Sequence, residues 1–172
     1  MRVIDNFLPD YQFKQIQSIF LGNLFPWYWN ETIVFPEDDG YHPKDYQFTH
    51  TLFDIFPPWN GSDSDFYQYV KNSSIFSLLG VNELKRIKMN LTPRSMFNKS
   101  SGWHIDYEGY PEVKNTAVYY LNTCNGYTKF KKGGKVKSVA NRVVIFDSNL
   151  EHMGYTCTND KRRIVVNFNY DR

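Results

Sequence analysis

Residues 162–170 read Arg-Arg-Ile-Val-Val-Asn-Phe-Asn-Tyr (RRIVVNFNY). Successive side chains of a strand point to opposite faces, so this run separates into two rows. Arg162, Ile164, Val166, Phe168 and Tyr170 form an apolar stripe behind a leading arginine. Arg163, Val165, Asn167 and Asn169 form a second row, too polar for an ordinary core. Such a row suits a polar lumen, and the β-branched and aromatic content suits a pleated surface more than a helix.

Working outward from this stretch, alternation predicts strands at about 84–91, 103–107, 115–122, 127–131, 135–139, 142–147 and 152–157, with 162–170 as the last. The turns between them carry the expected residues: Thr92-Pro93, Asn125-Gly126, Gly133-Gly134, Asp147-Ser148-Asn149 and Asn159-Asp160. Further upstream, VIDNFLPDYQFKQIQSIF reads as a short strand, a turn at Leu8-Pro9-Asp10 and then a helix. Phe13, Ile16 and Phe20 recur there at helical spacing. Residues 24–62 mix Pro, Gly, Asp and aromatics, which predicts irregular structure and short strands; a linker would not hold so many aromatics. A second helix is expected over roughly 63–79, opened by Ser62 or Asp63 and ended near Gly80. Eight short strands after two helices predict a mainly β (α+β) sandwich or jelly roll, with the helices buttressing one sheet.

The chain's 172 residues fit one domain, 1–172, in which 1–83 supports a jelly-roll core at 84–172. Charged residues make up 22% and hydrophobic residues 41%, which excludes a disordered chain, and no apolar run approaches a bilayer span. A net charge of +2 is too mild to argue for nucleic acid. Two cysteines, Cys124 and Cys157, make no disulfide framework, and no secretory apolar segment follows Met1. A cytoplasmic protein is the expectation. Only Ala117 and Ala140 represent alanine, which again disfavours helix.

Four histidines are present: His42, His50, His104 and His152. In Trp103-His104-Ile105-Asp106, positions i and i+2 of a strand put His104 and Asp106 on one face. A histidine from a distant strand would complete a two-histidine, one-carboxylate metal site with open positions, and His152, following the strand at 142–147, is the best third ligand. Alone, the His-x-Asp pattern reads better as a surface strand.

From Trp103 to Tyr170 the sequence resembles the iron(II)/2-oxoglutarate-dependent dioxygenases, especially their prolyl-hydroxylase-like branch. The matching elements run in the family's order: HID at 104–106, TAVYYLN at 116–122, NGYTKF at 125–130, NRVVIFDSNLEH at 141–152 and RRIVVNFNY at 162–170. The N-terminal VIDNFLPD with FPWYWN also looks like small phage-encoded members, which would place the protein in a host cytoplasm. Residues 31–83 match poorly, and Tyr127 stands where relatives usually have a second glycine.

The resemblance implies a double-stranded β-helix (cupin-like jelly roll) with His104, Asp106 and His152 as ligands of Fe(II). It also implies 2-oxoglutarate as cosubstrate, dioxygen as oxidant, succinate as product and hydroxylation of a substrate C–H bond. An arginine opening the last strand would bind the distal carboxylate of 2-oxoglutarate. Alternation favours Arg163 on the polar face over Arg162 on the apolar stripe, and the family alignment also puts its arginine directly before Ile164. Tyr120 matches a tyrosine that related hydroxylases present to 2-oxoglutarate. In LKRIKMNL, Ile87, Met89 and Leu91 face one way and Arg86, Lys88 and Asn90 the other, which makes Asn90 a candidate for a cosubstrate hydrogen bond or a solvated strand residue. Iron, Asp106 and 2-oxoglutarate together leave one negative charge, which a fixed guanidinium offsets with bidentate geometry. With Asp106 present there is no ligand vacancy for a halide, so hydroxylation is expected over halogenation.

The substrate implied by the resemblance is a protein or peptide side chain, with peptidyl proline foremost and nucleic acid less favoured. A non-catalytic jelly-roll binding module or virion component is the alternative from another class. Trp103, Tyr107 and Tyr110 read as a substrate wall or as ordinary packing, and His50 as an outer hydrogen-bond donor or a partly exposed residue. Lys129, Lys131, Lys132, Lys135 and Lys137 surround a Gly-Gly turn and read best as a solvated hairpin tip.

Overall fold

The strand opened by Arg162 lies inside a sheet, paired on both sides. A computed structural model describes residues 1–34, 41–43, 45–106 and 113–172. In chain order these form β1 (Arg2–Ile4), α1 (Asp10–Phe20), β2 (Tyr28–Asn30), β3 (Gln47–Asp54), α2 (Tyr67–Lys71), α3 (Ile75–Leu79), β4 (Glu83–Pro93) and β5 (Asn115–Tyr120). There follow β6 (Tyr127–Phe130), β7 (Gly134–Lys137), β8 (Arg142–Asp147), β9 (His152–Tyr155) and β10 (Arg162–Asp171). A seven-stranded sheet runs β1-β8-β5-β10-β4-β3-β2 and a three-stranded sheet runs β7-β6-β9, with antiparallel neighbours throughout. This is the jelly-roll double-stranded β-helix expected from the alternation and the resemblance.

The two rows of β10 meet different surroundings. Ile164, Val166, Phe168 and Tyr170 join Phe13, Ile16 and Phe20 of α1, Val70 of α2, and Ile75 and Leu79 of α3 in the larger core. The helices therefore buttress one face of the large sheet. Val165 joins Val118, Tyr120, Phe130, Val136, Val144 and Phe146 in a smaller core between the sheets. The rest of the inner face of β4 and β10 is polar and lines a cavity of about 820 Å³.

Three expectations change. The single helix over 63–79 is two short helices, because Asn72, Ser73 and Ser74 offer the backbone competing partners: the Ser73 hydroxyl donates to the Val70 carbonyl, and Ser74 N–H donates to Gln12 Oε1 at 3.0 Å. Gly80, at φ 70°, closes the second one in the left-handed region. Over 103–106, the described part of the strand expected at 103–107, there is a single bridge, His104 with His152. Finally, the stretch read as irregular structure and short strands holds the eight-residue β3, whose register against β4 shifts between Thr51 and Phe53.

Candidate metal and cosubstrate site

The bridge between His104 and His152 does what a full strand was expected to do. Each backbone N–H donates to the other's carbonyl at 3.0 Å, which sets the imidazoles side by side with ring centroids 4.6 Å apart. One ligand atom from each of His104, Asp106 and His152 lies within 4.8 Å of the others. His104 Nδ1 is 3.1 Å from the Gly102 carbonyl and His152 Nδ1 is 3.0 Å from the Leu150 carbonyl. A carbonyl only accepts, so Nδ1 carries a proton in both rings and Nε2 is the nitrogen turned toward a metal. Phe146 packs edge-on against the His152 ring at 4.9 Å.

Asp106 is held from behind. Asn169 Nδ2 donates to Asp106 Oδ2 at 3.2 Å, and Arg86 Nη2 stands 3.6 Å from Oδ1. Asn169 is itself fixed, accepting from Arg86 Nε at 3.0 Å and donating to Thr116 Oγ1 at 3.0 Å. Burial pushes the Asp106 carboxyl up, but Arg86, the two histidines and the Asn169 hydrogen bond outweigh it and bring it down to about 2. Burial pushes His152 down against the pull of Asp106, which favours the neutral ring a metal requires. The donor set is therefore two imidazole nitrogens and one carboxylate, which fits a divalent transition metal.

Arg163 is 5% exposed and lines the same cavity. Its Nε donates to Ser138 Oγ at 2.8 Å and its Nη2 to Thr128 Oγ1 at 3.0 Å, while its guanidinium lies 5.5 Å from the Tyr120 ring centre. All these partners are neutral. Among the described residues Arg163 has no carboxylate partner, and a buried cation in that condition calls for an anion from outside. Its Nη1 comes within 3.5 Å of where a Cβ on Gly154 would stand. Gly154 is two residues past His152 on β9, roughly 7 Å along the strand. Arg162 points the other way and donates to the Leu21 carbonyl at 2.7 Å. Tyr120 is fully buried and donates to Thr128 Oγ1 at 2.8 Å. Asn90 lines the cavity with a buried Oδ1 that has no hydrogen-bond partner, as do Asn167 Oδ1 and Thr92 Oγ1. Three orphaned acceptors and donors beside an unpaired guanidinium fit a polar, anionic guest.

The weaker candidates fall elsewhere. His50 is 5% exposed and caught between the Pro26 carbonyl and Ser64 Oγ, at 2.8 Å each, within an aromatic cluster; it is a packed core histidine. Trp103 is half-buried under Lys129 Nζ, which sits 5.8 Å from its ring centre. Tyr107 and Tyr110 lie outside the described residues. Tyr127 stacks on Tyr155 at 4.2 Å, so its bulk is spent away from Arg163. Arg86, Asn169, Thr128 and Ser138 were not singled out from sequence. Parity alone would have put Arg86 and Asn169 on the inner face beside Asn90 and Arg163.

No protein-family model matches the sequence, and no curated protein matches it. Solved structures do. A 2OG-Fe(II) oxygenase family oxidoreductase from Burkholderia pseudomallei is 11% identical, with a TM-score of 0.62 over 94% of this chain and 78% of its own. The fold is that of the 2OG-Fe(II) oxygenases. A prolyl hydroxylase from Trichoplax adhaerens, in complex with a hypoxia inducible factor oxygen degradation domain peptide fragment, is 15% identical, with a TM-score of 0.64 over 99% of this chain and 83% of its own. A non-heme α-ketoglutarate-dependent epimerase from nogalamycin biosynthesis is 12% identical, with a TM-score of 0.65 over 98% of this chain and 76% of its own. The 2OG-Fe(II) oxygenase fold thus serves more than one reaction, and the reaction must be argued from the site. Among the described residues no helix is long and apolar enough to cross a membrane.

Proposed function

We propose that the chain is an iron(II)- and 2-oxoglutarate-dependent dioxygenase that hydroxylates a C–H bond of its substrate, with a peptidyl proline as the first substrate to try. One observation carries the reading: a His-Asp-His donor set, with each Nδ1 tied to a backbone carbonyl, shares a cavity with a buried arginine that has no counter-ion among the described residues. The peptide bound to the Trichoplax relative supports a peptide side chain as the target class.

In this reading His104, Asp106 and His152 hold iron, which with dioxygen supplies the redox chemistry. The chain's own residues do the rest. Arg163 pairs the distal carboxylate of 2-oxoglutarate, with Ser138 and Thr128 fixing its fork. Asn90 and Tyr120 contribute polar and aromatic wall, and Arg86 with Asn169 keeps Asp106 ionised and oriented.

The test is an anaerobic titration of iron(II)-loaded protein with 2-oxoglutarate, followed by the weak visible charge-transfer band of the chelate. A saturable band in the native protein, absent in His152→Ala and Asp106→Ala, is expected. Bound iron with no band would overturn the reading and favour a non-catalytic jelly-roll module.

A further inference from the structure

The cavity contains a second cation that the proposed chemistry leaves unused. Lys88 is on β4, one same-face step from Asn90 and one from Arg86, and it lines the cavity. Its register partners are Asn167 on β10 and Thr51 on β3, both neutral. Among the described residues Lys88 makes no hydrogen bond and no ion pair, although it is only partly exposed. The other cations of the cavity are accounted for. Arg86 has the carboxylate residue Asp54 as its register partner, and Lys99 pairs with Asp45 at 3.9 Å. Exposed Arg94 stays in water at the rim. Resting on the dioxygenase reading, the charges of iron, Asp106, 2-oxoglutarate and Arg163 cancel. Among the described residues one inward positive charge remains, and it stands on the wall between Arg86, which supports Asp106, and Asn90.

We propose that Lys88 is the specificity residue that receives a carboxylate of the substrate, so that the enzyme selects acids over their neutral analogues. Lysine serves here as a point charge that a single carboxylate oxygen can reach from several directions, unlike the planar fork of Arg163. Burial and then Arg86 push the Lys88 ammonium down to about 8, while Asp106 and Asp54 push it back up; it is still mostly charged at neutral pH. An anion seated against it relieves part of that desolvation. The carboxylate has two sources: a free amino or imino acid, or an acidic side chain or C-terminus in a peptide.

The experiment uses zinc(II)-loaded protein, which binds without redox turnover, saturated with 2-oxoglutarate and titrated calorimetrically with matched acid and amide pairs. One arm takes L-proline against L-prolinamide. The other takes acetyl-Pro-Glu-amide against acetyl-Pro-Gln-amide. In at least one arm the acid is expected to bind about tenfold or more tighter than its amide. Which arm shows it identifies the source. Lys88→Met should bring that ratio to within about twofold, while Lys88→Arg keeps most of it, which separates lost charge from lost packing. No acid preference in either arm, including no acid binding at all, overturns the proposal; so does a preference that survives Lys88→Met. A loss of 2-oxoglutarate affinity in Lys88→Met would instead assign the lysine to the cosubstrate, also overturning it. If 2-oxoglutarate fails to bind native zinc protein, the dioxygenase reading falls first, and that is measured separately.

Discussion

At the scale of single residues, the site depends on side chains that never touch a reactant. Asn169 ties Asp106 to Thr116 and Arg86, so Asn169→Ala frees the carboxylate to rotate. Metal affinity, read by competition with a chelator, should fall roughly tenfold or more, with the fold retained. Gly126 plays the equivalent part for Arg163. A Cβ there would stand 2.7 Å from Arg163 Cδ and 2.8 Å from the Tyr155 carbonyl. Gly126→Ala should therefore weaken 2-oxoglutarate binding while sparing metal binding, and Arg163→Ala should do the same more strongly, by about a hundredfold. Equal loss in Arg162→Ala would contradict the face assignment, since Arg162 serves the Leu21 carbonyl. The inner or outer position of Arg163, Asn90 and Lys88 was legible because strand parity is a property of the chain alone. The partners Ser138 and Thr128 were not legible, because they come from β6 and the segment after β7, and only the folded register brings them to β10.

At the scale of elements, strands with alternating rows were readable and segments held by tertiary contacts were not. β5, β8 and β10 carry β-branched and aromatic runs, and β4 alternates Ile87, Met89 and Leu91 with Arg86, Lys88 and Asn90, so pattern and pairing agree. β3 hides its pattern because Gln47, His50 and Asp54 are buried polar residues on a strand. Residues 103–106 have strand-like composition, yet Gly102 at φ 90° turns the backbone and one bridge replaces a ladder. A similar device joins the N-terminal segment to the large sheet. Asn141, at φ 62°, accepts from Leu8 N–H and from the Tyr119 hydroxyl, and donates to the Leu8 carbonyl, each at 2.9 Å. Asn141→Ala leaves three buried groups unpaired and should cost about 2–4 kcal/mol, read as a lower urea midpoint with an unchanged slope.

At the scale of the whole molecule, binding and stability are linked through β10. Metal with 2-oxoglutarate at a hundred times its Kd should add about 2.7 kcal/mol, raising Tm by roughly 5–10 °C in a chain of this size. Arg163→Ala should lose the 2-oxoglutarate part of that rise. For the metal-free protein, the depressed Asp106 carboxyl contributes stability above its ordinary 3.8 that is lost as pH falls toward about 2, so acid unfolding should steepen across that window, as followed by circular dichroism. β10 also carries a consequence in time. It follows every other strand in the chain, yet it sits between β5 and β4 near the middle of the large sheet. Until residues 162–171 leave the ribosome, β4 and β5 face each other across an empty lane with unpaired backbone N–H and C=O groups exposed. The sheet therefore cannot close before residues 162–171 have been made. A β10 variant that pairs poorly will be felt first as aggregation during synthesis, before any assay of the finished protein is possible.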